Sequence, residues 1–131
     1  MQFQDLFEEF NTQGKLVLTE STSLFKDIPW SKHQSFEGVE LKHILSSQQS
    51  KGQFSFHLVR IVPNKKIGLH SHQEQLESHE VIAGDGLCLN NKQELIYEAG
   101  VISIFPKAVE HEVRAGANGL YLFAKFFPAL V

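Results

Sequence analysis

The 131-residue chain sets 12 Lys and Arg against 15 Asp and Glu, for a formal charge of -3; that leaves no basic field for nucleic acid, and the length suits one domain around one core. A lone Cys excludes an internal disulfide. No stretch approaches the roughly 20 apolar residues needed to span a bilayer, and Asp5, Glu8 and Glu9 leave the N-terminus without the basic start of a secretory signal, so a cytoplasmic protein with neither nucleic-acid nor membrane partners is expected.

Phe3, Leu6, Phe7 and Phe10 fall at i, i+3, i+4 and i+7, which predicts a short helix over Phe3 to Phe10 whose apolar stripe packs on the domain or on a second subunit, with Gly14 as its stop. From Lys15 to Ser50 the signals weaken: "KLVLTE" reads as an edge strand, "DIPW" as a turn and "VELKHILSS" as a further strand. From Gly52 onward short strands crowd together: "QFSFHLVRIV" up to Pro63, then "IGLHSH", "LESHEVIA", "GLCLN", "QELIYE", "VISIF", "HEVRA" and "LYLFAKFF". Asn90-Asn91 and Asn118-Gly119 tolerate positive φ and are expected to form tight hairpins between them. The pattern is that of an all-β barrel or sandwich, and no repeat or linker divides the chain.

The stretch "GLHSHQEQLESHEVIAGDG" concentrates the chemistry. His70 and His72 lie two apart in an extended segment, so strand alternation points both imidazoles the same way. Glu77 follows on the next extended segment, and His111 enters from a later strand just after Pro106. Three nitrogens and one oxygen suit a divalent first-row metal and leave positions free on an octahedral ion.

The run His70-x-His72-x4-Glu77-x6-Gly84 resembles the first cupin motif and Gly100-x5-Pro106-x4-His111 the second, in the right order and over roughly Gly52 to Phe127. The chain is thus similar to the small single-domain cupins. This resemblance implies a jelly-roll β-barrel with a short N-terminal helix: residues 1–14 as helix, 15–50 as N-terminal strands and turns, 52–127 as the barrel core. It also implies one divalent transition metal (Fe, Mn, Ni or Zn) held by His70, His72, Glu77 and His111. Three positions depart from the family pattern: Pro63-Asn64 stands where Pro-Gly is usual, Ala108 where a glycine is expected, and Ala115 where the second motif ends in asparagine. None is a ligand, and all three bear on turn geometry.

His79 lies two residues beyond Glu77, so it shares the inward face; it reads as a partner of a ligand, an extra ligand or a proton shuttle, and equally as a rim histidine in contact with water. As the candidate catalytic residue it would exchange a proton with a bound substrate. Glu74 and Glu80 read as solvated charges, Arg60 and Arg114 as surface partners, His33, His43 and His57 as structural, and Cys88 as a small core residue. Phe56, Val81, Val113 and Phe126 are expected to wall the cavity.

Two functions follow. The resemblance implies chiefly oxygenases, with isomerases and lyases as variants, acting on a small, partly apolar chelating substrate. Alternatively, "GVELKHILSS" followed by "FSFHLVRIVP" resembles the lead-in of zinc-binding cupin domains in anti-sigma factors, which implies a sensor or small-molecule-binding module without catalysis. Exposed strand edges further suggest a homodimer, with contacts from the N-terminal third.

Overall fold

Helix α1 (Phe3–Gln13) opens the structure, a computed structural model that describes residues 3–131, with side chains from Leu6 onward. The helix runs past Phe10 and ends where the Gly14 amide donates to the Phe10 carbonyl at 2.9 Å. Its stripe docks on the sheet: the fully buried Phe7 ring lies 4.6 Å from Tyr121 and 6.2 Å from Trp30, and Phe10 meets Phe25 and Phe123 edge-on. The Phe3 side chain of the expected stripe lies outside the described residues. Lys42 ties the helix to the sheet, donating from its buried ammonium to Asn11 Oδ1 and to the Phe25 carbonyl.

Strands β1 (Lys15–Val17) and β2 (Thr22–Leu24) form an antiparallel pair of their own. The large sheet therefore begins at β3 (Ser31–Lys32), within the expected N-terminal strands and turns of residues 15–50. Strand β4 (Val39–Leu45) leads to the single-turn α2 (Ser47–Ser50), closed at its start by reciprocal bonds between Ser46 and Gln49. Then come β5 (Ser55–Ile61), β6 (Lys66–His70), β7 (Leu76–Asn90), β8 (Gln93–Glu98), β9 (Ile102–Phe105) and β10 (His111–Phe127). These strands form one antiparallel sheet in the order β3-β4-β5-β10-β7-β8, with β6 also on β10 and β9 also on β7, a jelly roll.

Two expected breaks are absent. "LESHEVIA" and "GLCLN" are one strand, β7, and "HEVRA" and "LYLFAKFF" are one strand, β10. Asn118-Gly119 forms no hairpin; it sits in a wide bulge where the β10 register jumps from Ala115 opposite Gly86 to Leu120 opposite Gly84. There Gly84, at φ +85, approaches the Gly119 carbonyl so closely that a Cβ would stand 2.2 Å from it. The other expected hairpin is present: Asn91 and Lys92, both with positive φ, turn β7 into β8.

The sheet buries apolar side chains on both faces. Val59, Ile61, Ile67, Val113, Leu122 and Phe126 fill the barrel interior. Leu58, Ile44 and Ala83 pack outward under α1 with Phe7 and Phe25. Among the described residues no helix is long and apolar enough to cross a membrane.

Candidate metal centre

Four elements deliver the expected ligands to one end of the interior. His70 closes β6 and pairs in register with His111, the first residue of β10; Glu77 on β7 pairs with Phe105 on β9 and Phe126 on β10. His72 lies just past β6, where its carbonyl accepts the Ala108 amide at 2.9 Å, joining the two motif loops. One ligand atom from each of His70, His72, Glu77 and His111 lies within 4.8 Å of all the others.

Hydrogen bonds determine which atoms face inward. His70 Nδ1 lies 2.7 Å from the Gly68 carbonyl and His111 Nδ1 lies 3.0 Å from the Val109 carbonyl. A carbonyl only accepts, so both Nδ1 atoms carry protons and both rings turn Nε2 toward the centre. His111 Nε2 is 2.9 Å from Glu77 Oε1, and His72 Nε2 is 3.6 Å from the same oxygen. Two lone-pair atoms at 2.9 Å need a cation between them, either a proton or a metal. Ligands about 2.1 Å from a first-row ion stand roughly 3 Å apart when adjacent, so the donor set fits such an ion.

Electrostatics favour the ligating forms. Burial, the leading cause, holds the His70 and His72 imidazoles below their ordinary value. At Glu77 burial pushes upward, but the adjacent His79 and the hydrogen bonds from His111 and His79 outweigh it and hold the carboxyl well below the usual carboxylate range. Neutral imidazoles around an ionised carboxylate are what a divalent ion requires.

His79 stands behind Glu77 and is almost fully buried. Its Nε2 donates to Glu77 Oε2 at 2.7 Å, and its Nδ1 lies 3.1 Å from the Tyr97 hydroxyl. The ring also borders the cavity that opens from the centre, about 320 Å³ and walled on its apolar side by Leu41, Val59, Ile67, Ala124, Phe126 and Leu130. Of the expected walls only Phe126 lines it; Val81 and Val113 sit deeper in the interior core, and Phe56 faces outward toward α1. Arg60 is bonded to Glu40 at 3.0 Å and lies over the Trp30 ring, and Arg114 is 3.8 Å from Glu112. Glu80 pairs with Lys125, and Cys88 is buried.

Several residues at the site carried no motif signal. His33 and Phe36 reach the cavity from the loop after β3, with Phe36 4.8 Å from His33 and 6.2 Å from His70. Leu130 is held over the other side by its amide, which donates to Ser55 Oγ at 2.9 Å. Beyond Phe126, His43 and His57 pair across β4 and β5 with their Nδ1 atoms 2.8 Å apart. Tyr97 is separated from Glu77 by a full hairpin, and nothing in its strand pattern points to the site.

No family model matches the sequence. The chain is 24% identical over 81 residues to the oxalate-binding protein of Thermotoga maritima, covering 61% of this chain and 67% of that one. Its fold is similar to the crystal structure of a predicted oxalate decarboxylase of Thermotoga maritima, with a TM-score of 0.73 at 21% identity over 79% of this chain and 95% of the other. A cupin of the RmlC-like type from Shewanella frigidimarina aligns with a TM-score of 0.71 at 15% identity, covering 82% and 90% of the two chains. The jelly-roll fold is similar to that of these cupin structures.

Proposed function

We propose that the protein is a metal-dependent small cupin that acts on a small chelating organic substrate, with an oxygenase-type reaction favoured. The observation that carries this reading is the inward-facing set His70, His72, Glu77 and His111, whose ligand atoms lie within 4.8 Å of one another beside a cavity of about 320 Å³. A divalent metal in that set supplies Lewis acidity toward an oxygen donor of the substrate and, if it is iron, redox chemistry. The apolar wall from Leu41 to Leu130 shields the reacting end from water and receives the substrate's carbon skeleton. His79 holds a proton at Nε2 beside Glu77 Oε2, at the cavity edge, and is the candidate group to exchange it with the substrate.

Elemental analysis of protein purified without added metal, with oxygen uptake measured on diols, thiols, 1,3-dicarbonyls and oxalate, tests the reading. Stoichiometric metal with turnover of one class supports it; protein that takes up no divalent metal removes it. The oxalate-binding relative favours a second reading, a metal-bearing module that binds a small oxygen-donor chelator without changing it. Tight chelator binding with no turnover would favour that alternative. For assembly we propose a homodimer with contacts from the N-terminal third; sedimentation as a monomer at micromolar concentration would dismiss it.

A further inference from the structure

Behind the four ligands lies a chain of hydrogen bonds that motif reading does not reach. Glu77 Oε2 belongs to a carboxylate and only accepts, so the contact at 2.7 Å places a proton on His79 Nε2. A neutral imidazole carries one proton, which leaves Nδ1 as an acceptor, and the group facing it at 3.1 Å is the Tyr97 hydroxyl. Tyr97 is fully buried, and burial, reinforced by its hydrogen bond to Cys88, pushes the phenol far above its ordinary value, so it keeps a proton to donate. Ser103 also hydrogen-bonds the phenol and pulls its value the other way, without offsetting burial. The Phe105 ring, 4.8 Å from His79, closes the remaining side with an apolar surface. Without the phenol, Nδ1 would be a buried acceptor without a protein donor.

This arrangement divides the two oxygens of Glu77. Oε2 is occupied by His79, while Oε1 faces His111 at 2.9 Å and His72 at 3.6 Å. Building on the metal-centre reading above, we propose that Tyr97 is a positioning residue: its hydroxyl holds His79 in the Nε2–H tautomer, which caps Glu77 Oε2 and presents Oε1 alone to the ion. Tyr97 touches neither ligand nor substrate and acts only through His79. Loss of the cap would let the carboxylate swing or bind through both oxygens, weakening the centre and changing its geometry.

The test uses Co(II) as probe on the full chain. Tyr97→Phe is expected to weaken Co(II) binding about tenfold, the low end for disturbing the hydrogen-bond partner of a metal ligand, here His79. It should also alter the visible bands of the bound ion. In a His79→Gln background the same substitution should add no further loss, because the effect passes through the imidazole. Unchanged affinity and bands in Tyr97→Phe, or a loss that adds to that of His79→Gln, would overturn the proposal and leave Tyr97 as packing. Should Tyr97→Phe not fold, the imidazole 15N shifts of His79 in the unmodified Zn(II)-loaded protein decide: the Nε2–H tautomer supports the proposal and the Nδ1–H tautomer defeats it. An unmodified protein that binds no Co(II) would remove the metal centre itself, an outcome distinct from an unaffected Tyr97→Phe.

Discussion

His111 Nε2 lies 2.9 Å from Glu77 Oε1 while its other nitrogen is committed to the Val109 carbonyl. A divalent ion between them binds the folded barrel only, so it must raise stability. Free Zn(II) or Co(II) at a hundred times its dissociation constant should add about 2.7 kcal/mol and lift the melting temperature by several degrees. The His70→Ala, His72→Ala double variant should show no such lift. A melting curve indifferent to verified metal loading would refute this.

His79 and Glu77 should fail differently when altered. His79→Gln is expected to keep stoichiometric metal at saturating concentration and to lose about tenfold in turnover, the low end being below the usual worth of a general base. Glu77→Gln should weaken metal binding first, since it removes the ionised oxygen. Full activity of His79→Gln on an identified substrate would leave that imidazole without a proton-transfer role.

Acid should destabilise the metal-free protein as the pH falls through the imidazole range. His57 is lowered to about 4 by burial, with the His43 charge adding to it and Glu77 partly offsetting. Above the ordinary imidazole value both folded and unfolded forms are neutral. Between about 6.5 and 4 the unfolded chain takes up a proton that the native site refuses, so stability falls as pH drops, by on the order of 3 kcal/mol from this ring. His33, His43, His70 and His72 are lowered too, burial leading in each case, and act in the same sense. Urea midpoints that stay constant from pH 7 to 4.5 would contradict this.

Two small residues of the motifs should respond with opposite signs. Ala108 holds φ +68 where a Cβ is strained; Ala108→Gly removes roughly 1–2 kcal/mol of strain against about 0.5–1 of added chain entropy, for a net gain of about 0.5–1 kcal/mol. Gly84→Ala instead drives a Cβ into the Gly119 carbonyl and should cost at least about 2 kcal/mol. Chemical denaturation of both variants measures the two changes, and a destabilised Ala108→Gly would show that the turn does not relax.

The convergence of His70, His72, Glu77 and His111 is legible because spacing and strand alternation need no knowledge of packing. Strand continuity was not legible. Asn118-Gly119 has hairpin chemistry, but here those residues form a bulge inside β10 and pairing resumes beyond it. The expectation of Phe56 inside fails because β5 is apolar on both faces: Val59 and Ile61 fill the barrel, while Phe56 and Leu58 lie under α1. A sheet covered on its outer side loses the polar phase that tells in from out. His33, Phe36 and Leu130 come from irregular segments, where periodicity carries no information.

The pairing of β10 with β5, β6 and β7 bears on the order of assembly. Glu77 and His111 are 34 residues apart in sequence, and His70 meets His111 only once β10 has docked on β6. While the chain is being synthesised, a segment ending before β10 exposes two imidazoles and a carboxylate with no fourth partner and without the wall that Ala124, Phe126 and Leu130 supply. A metal held by these four side chains would therefore be captured only after barrel closure, a slow step dominated by non-local pairing. A nascent chain halted before His111 should hold metal no better than an ordinary unfolded peptide.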